Sequence, residues 1–351
     1  MSAFDAPFAP WQQRVYDQAV AAFEAGRLAH GLLLVGPPLL GKRQVAERLA
    51  QRVLCRTPKG NQPCGQCRDC TLFLSRAQAD PEEVRPDGTL AHPWGHSGHP
   101  DVSFIGFAVN EKTKKPRTEI VIEQIRALSE RFALTPQAGG AQVVIVEPAD
   151  AINHAAANAL LKTLEEPVPG RYLWLVSARP QALPATIRSR CQRLEFRMPP
   201  RTEALAWLQA RGHATTAANE ALDAARGHPG LADAWLREGG LVLRKEIAAD
   251  LAGLASGDIA PVALAQRWTG DERAALRLEF AADLALQEAA RLTDPLRTRR
   301  LATWFDAANR TRALLRTTVR PDLAVAELLL AWRTDAGAPA GQGRGTSEVR
   351  R

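Results

Sequence analysis

The chain has 351 residues, 46% of them hydrophobic and 24% charged, close to the averages of folded globular proteins and unlike a disordered or fibrous chain. No stretch approaches the roughly 18 uninterrupted apolar residues of a membrane helix, and residues 1–10 lack the basic start and apolar run of a secretory leader, so a cytoplasmic protein of two or three domains is expected. The formal charge of +7 is weak evidence for a nucleic-acid site: only seven of the 45 basic residues are Lys, and the excess of Arg, Ala and Leu reads as genomic base composition.

Residues 1–30 read as a helical lead-in with Trp11, Val15 and Ala19 on one face. Gly31 to Val35 is a short buried strand, Gly36 to Lys42 (GPPLLGK) a glycine loop, and the next segment a helix with Val45, Ala46, Leu49, Ala50, Val53 and Leu54 on its apolar stripe. Strand, glycine loop and helix in that order are the setting of a phosphate-binding loop. Gly36, Gly41 and Lys42 fit it, but Arg43 stands where a Ser or Thr hydroxyl would hold magnesium.

Cys55, Cys64, Cys67 and Cys70 follow with the spacing C-x8-C-x2-C-x2-C, while Cys191 stands alone. Four thiols so close together read as a metal module rather than a disulfide framework. A closed shell of four thiolates suits structural zinc, with no open position for catalysis. Residues 79–100 form a Pro/Gly-rich loop in which His92, His96 and His99 read as surface histidines. Val102 to Phe107 reads as a strand, and residues 110–118 (NEKTKKPRT) as a basic, solvated loop with DNA-backbone contact as the minority reading. A helix from Ile122 to Leu134 comes next.

Gln142 to Val146 is a strong β run ending in Glu147-Pro148, where a hydrolysing site would place a metal-binding Asp and a Glu base. Pro148 has no carboxylate. The loop therefore reads as degenerate, with phosphate affinity through Lys42 at most and ATP binding doubtful. Asn153 caps a helix running to Pro167, with Leu160, Leu161 and Leu164 inward and Lys162, Glu165 and Glu166 outward; Tyr172 to Ser177 is another strand. Strands alternating with helices predict a parallel α/β sheet covered on both faces. Beyond Pro199-Pro200 the pattern is helical throughout.

Asn158 to Pro167 (NALLKTLEEP), Leu183 to Cys191 (LPATIRSRC), the His99-Pro-Asp101 tripeptide and the cysteine insertion after the loop helix together resemble the bacterial clamp-loader family of AAA+ proteins. Specific motifs carry the resemblance over roughly residues 10–235; to about 333 only domain order and helical character carry it. It implies an AAA+ (RecA-like) domain over 1–199 with the zinc module at 55–70, a small helical lid over 200–238, an all-α collar over 239–334, and a disordered tail over 335–351. It implies a hetero-pentameric ring with gamma/tau and delta subunits that loads the sliding clamp onto primed DNA as part of the polymerase holoenzyme.

In Ser189-Arg190-Cys191, the resemblance makes Arg190 an arginine finger acting in trans on a neighbour's ATP, with Cys191 packed. It places a polar sensor near Ser177 and a second sensor, an arginine in hydrolysing members, near Ala232. The broken motifs are similar to a subunit without ATPase activity of its own. An ATP-hydrolysing gamma/tau-type subunit and a zinc-containing DNA-binding protein are the alternatives. Residues 79–98 depart from the family pattern and receive no function.

Overall fold

The apolar runs of the first half become the strands of one parallel sheet. A computed structural model describes residues 6–336 except 81, 86–87, 111–114, 139, 316 and 318. Lys112 and Lys114 of the basic loop and positions 337–351 of the expected tail lie outside the described residues. The chain divides into two units, Met1–Asp233 and Ala234–Arg351.

In the first unit the order is α1 (Pro10–Glu24), β1 (Gly31–Val35), α2 (Lys42–Leu54), α3 (Arg68–Leu74), β2 (Arg76–Ala77), β3 (His96–Ser97), β4 (Val102–Ile105), α4 (Ile122–Ala133), β5 (Gln142–Val146), α5 (His154–Glu165), β6 (Arg171–Ser177), α6 (Ala185–Arg188) and β7 (Gln192–Glu195). Helices α7 (Arg201–Ala210) and α8 (Thr215–Ala224) follow, and α9 (Pro229–Arg237) begins there. The sheet order is β4-β5-β6-β1-β7, every neighbouring pair parallel, with Leu33 opposite Leu175 and Ile145 opposite Trp174.

Because side chains alternate across a strand, each buried run feeds two cores. Leu32, Leu34, Val143, Ile145, Trp174 and Val176 pack on one face with Trp11, Val15 and Ala19 of α1 and Val45 and Leu49 of α2. Leu33, Val35, Val144, Val146, Leu173 and Leu175 pack on the other with Ile125 and Leu128 of α4 and Leu160 and Leu164 of α5. Asn153 caps α5 as expected, its Oδ1 accepting from the Ala156 N–H at 3.0 Å. Strand β4 stops at Ile105, two residues short of the expected end, and β7 has no apolar run to announce it: only Leu194 of its four residues is buried.

The second unit is helical: α10 (Gly240–Ser256), α11 (Pro261–Trp268), α12 (Ala274–Ala289), α13 (Pro295–Leu314) and α14 (Pro321–Ala331). Proline at the first position starts α11, α13 and α14, where its missing N–H costs nothing. Three buried tryptophans tie the helices through their indole N–H groups: Trp304 on the Leu328 carbonyl at 2.9 Å, Trp332 on the Leu251 carbonyl at 3.0 Å, Trp268 on Asp250 at 2.8 Å. Among the described residues no helix is long and apolar enough to cross a membrane.

Candidate functional site

The glycine loop connects the end of β1 to the start of α2. Gly41 has φ +82°, a backbone that side chains resist, and a Cβ there would lie 1.6 Å from the Gln12 amide nitrogen. Gln12 fills that space because it is bound on both sides: its Oε1 accepts from the Ala9 N–H at 2.8 Å and its Nε2 donates to the Leu40 carbonyl at 3.2 Å. Gly36, at the other end, lies under the Phe196 carbonyl, which a Cβ would approach to 2.3 Å. Lys42 does not project from the loop. Its Nζ donates to the Gly36 and Pro37 carbonyls at 2.8 and 2.6 Å, and burial pushes its pKa down to about 8 despite the opposing pull of Glu147 and Asp150.

Arg43 is buried, and its guanidinium is enclosed. Nε donates to Glu47 at 2.6 Å, Nη1 to the Ala91 carbonyl at 2.6 Å and to Glu147 at 3.3 Å, and Nη2 to His92 Nδ1 at 2.8 Å. The Phe104 and Trp94 rings lie 5.2 and 5.9 Å from its central carbon. Glu47, fully buried, also accepts from Arg76 at 2.8 Å, and Glu147 is 3.5 Å from Arg85. The residue after the loop lysine thus faces the residue that follows β5, and its guanidinium stands between the loop and the strand.

His92 corrects the surface reading given to these histidines. It is 2% exposed, against Arg43 of α2, and His99 is 1% exposed, against Asp69 of α3; of the three only His96 is half-exposed. His92 Nε2 and His96 Nε2 both lie 2.9 Å from Glu83 Oε2, and the three converge as metal ligands would. A guanidinium only donates, so His92 Nδ1 accepts and its proton sits on Nε2, facing Glu83. A protonated nitrogen cannot ligate a metal, so with Nδ1 accepting from Arg43 this tautomer keeps His92 out of a metal shell. Half-burial opposes ionisation of Glu83, but the two imidazoles outweigh it and hold its pKa down to about 2.

The four clustered cysteines converge, with their ligand atoms all within 4.8 Å of one another. The Cys55–Cys67 and Cys64–Cys70 sulfur pairs are 4.0 and 3.9 Å apart, against about 3.8 Å for a tetrahedron with zinc–sulfur bonds of about 2.3 Å. Backbone N–H groups already point at sulfur: Cys64 to Cys55 and Cys67 to Cys64, both at 3.2 Å. The Thr57 hydroxyl and the Gln66 and Cys67 amides pull the Cys64 thiol down to about 5, while burial pushes Cys55 and Cys70 up. A divalent ion would supply the positive charge that the buried sulfurs need to ionise, so the donor set fits zinc. The module is anchored through Asp69, which accepts from Arg56 at 2.6 Å and faces His99 Nε2 at 3.4 Å. His99 Nδ1 accepts from the Asp101 N–H at 3.1 Å, and the Asp101 carboxylate takes the Gln137 and Ala138 amides, both at 2.8 Å.

Arg190 lies just beyond α6, partly exposed. It pairs with Glu165 of α5 at 2.6 Å and donates to the Thr186 carbonyl at 2.9 Å. Cys191 beside it is packed under the sheet, and burial pushes its thiol up to about 12, outside nucleophilic range. Ser177 ends β6 with its hydroxyl on Asp150 at 2.8 Å. Ala232, where the second sensor would stand, is fully buried in α9. Sequence reasoning missed the Arg43 enclosure and the Asp69–His99 link, since both depend on side chains brought together by the fold from positions 30 or more apart.

A parallel sheet of this order, with a glycine loop leaving β1 and helices on both faces, defines an AAA+-type nucleotide fold followed by a helical region. The model of the family described as DNA polymerase III, delta subunit, matches residues 11–200. DNA polymerase III subunit delta' of Pseudomonas aeruginosa is 34% identical over 264 residues, spanning 74% of this chain and 70% of that protein. The delta' subunit of Escherichia coli is 32% identical over 254 residues, spanning 71% and 67%. Among solved structures, a DNA polymerase III gamma-subunit-related protein of Thermotoga maritima aligns over 92% of this chain and 99% of its own, with 17% identity and a TM-score of 0.46. The chain belongs to the DNA polymerase III delta' subunit family.

Proposed function

We propose that this chain is a clamp-loader ring subunit that hydrolyses no ATP of its own and contributes Arg190 to a neighbour's ATP site. Arg43 carries this reading. Hydrolysis of a loop-bound nucleotide needs a magnesium ligand after Lys42 and an acidic pair after β5. In their place stand a guanidinium, its Glu147 partner and Pro148. Lys42, turned onto its own loop carbonyls, agrees.

In this reading Gly36, Gly41 and Lys42 preserve the loop as a structural element, and Cys55, Cys64, Cys67 and Cys70 hold a structural zinc. Residues 1–199 form the AAA+ domain, 200–238 the lid and 239–334 the collar that joins gamma/tau and delta in a pentamer acting on the sliding clamp and primed DNA. Arg190 pairs with Glu165 and the Thr186 carbonyl, and in the ring it exchanges this pairing for phosphate charge on an adjacent subunit. The test is ATP turnover by the isolated, zinc-loaded chain with magnesium. No turnover above a Lys42→Ala control is expected; turnover that the substitution abolishes would make the chain a gamma/tau-type ATPase instead.

A further inference from the structure

The segment from 79 to 98 leaves the short strand β2, ends with its partner β3, and has no part in the function proposed above. Three of its described residues nevertheless converge on one group. Ala91 gives a carbonyl, His92 an imidazole nitrogen and Trp94 a ring face to the Arg43 guanidinium, and the rest of its surroundings come from Glu47, Glu147 and Phe104. Four acceptors around the guanidinium, with two aromatic rings within 6 Å of its central carbon, suit a flat delocalised cation. They suit octahedral magnesium less, since it takes oxygen ligands and keeps several waters, whereas this cage joins a nitrogen and two apolar ring faces to its three oxygens.

We propose that these residues form a guanidinium-binding site whose resident ligand is Arg43, and that Ala91, His92 and Trp94 are the clamp that completes it. The side chain takes over the charge that a metal ion would bring to Glu147, so the fold between loop and strand is complete without metal or nucleotide. The clamp rests on the reading of the loop as a disabled nucleotide site, and it extends that reading by giving the inserted loop a ligand of defined chemistry.

Replacing the arginine empties the site, and free guanidinium should refill it. The full-length, zinc-loaded Arg43→Ala chain is expected to unfold about 5 °C or more below wild type. Low-millimolar guanidinium chloride should raise its unfolding temperature by several degrees while leaving wild type unchanged or slightly lower, since guanidinium otherwise only denatures. Sodium chloride or urea at the same concentration should not rescue, nor should Mn2+. His92→Ala in the alanine background should abolish the rescue.

Rescue by Mn2+ but not by guanidinium would show a metal site and overturn the proposal; so would the absence of any rescue in a folded Arg43→Ala chain. If Arg43→Ala does not fold, Arg43→Lys decides: His92→Ala should cost clearly less in the lysine background than in wild type, because the bond it removes is already lost. Equal costs would overturn the clamp. These are unfolding measurements, independent of ATP turnover, so the clamp can fail while the non-hydrolysing reading stands. Turnover by wild type would defeat that reading whatever the rescue shows.

Discussion

Asp69 and His99 meet at 3.4 Å, one from α3 inside the cysteine module and the other just before β4. Their tautomer is settled by a third group: His99 Nδ1 accepts from the Asp101 amide, so the proton on Nε2 faces the carboxylate. His-Pro-Asp is thus a hinge pin between the module and the sheet. Both side chains are buried, which raises the cost of leaving either unpaired.

His99→Ala is therefore expected to destabilise the chain by about 1–3 kcal/mol, the usual cost of an orphaned buried polar partner. Thermal unfolding checks this. The same variant should still bind its metal, since none of the four sulfurs is touched; metal content measured alongside separates loss of the anchor from loss of the module.

Removing a sulfur acts differently. One zinc per chain is expected by elemental analysis, and Cys67→Ser should lose it, because Cys67 both faces Cys55 and accepts the Cys70 amide. The segment from 55 to 70 has little core of its own, so its order depends on the ion. Chelation of the wild-type chain should make this segment cleavable by protease while the sheet stays folded. A chain without zinc that resists cleavage there would contradict a structural metal.

Burial holds the pKa of His92, His99 and His228 below the ordinary histidine value of 6.5. The unfolded chain takes up these protons near pH 6.5 and the folded chain only at lower pH, so it is the unfolded state that binds more protons in that window. Stability should be full above about pH 6.5 and fall as pH drops below it. His92→Asn, which can still accept from Arg43, should make that acid limb shallower in denaturant titrations at successive pH values. An unchanged limb would show that His92 titrates alike in both states.

The sheet was legible because its strands are buried on both faces: GLLLV and QVVIV have no polar interruption to confuse the period. The glycine loop between β1 and α2 could be read from Gly36, Gly41 and Lys42. What the residue pattern could not reveal was where Arg43 goes. Its partners Ala91, His92 and Glu147 are separated from it by 48 to 104 positions, the first two in a loop whose Pro and Gly content marks it as surface. Burial of His92 and His99 follows from those partners, and polar residue types in a loop carry no signal of it. Strand β7 escaped for the opposite reason, since an edge strand with one buried side chain has no apolar run.

Arg190 carries the central claim, and ATP turnover by the ring reconstituted with gamma/tau and delta tests it most directly. With Arg190→Ala the ring should assemble as it does with wild type, and its clamp- and DNA-stimulated ATPase should fall by about tenfold or more, as expected when a guanidinium is withdrawn from developing phosphate charge. Wild-type ATPase in an intact Arg190→Ala ring would contradict the account.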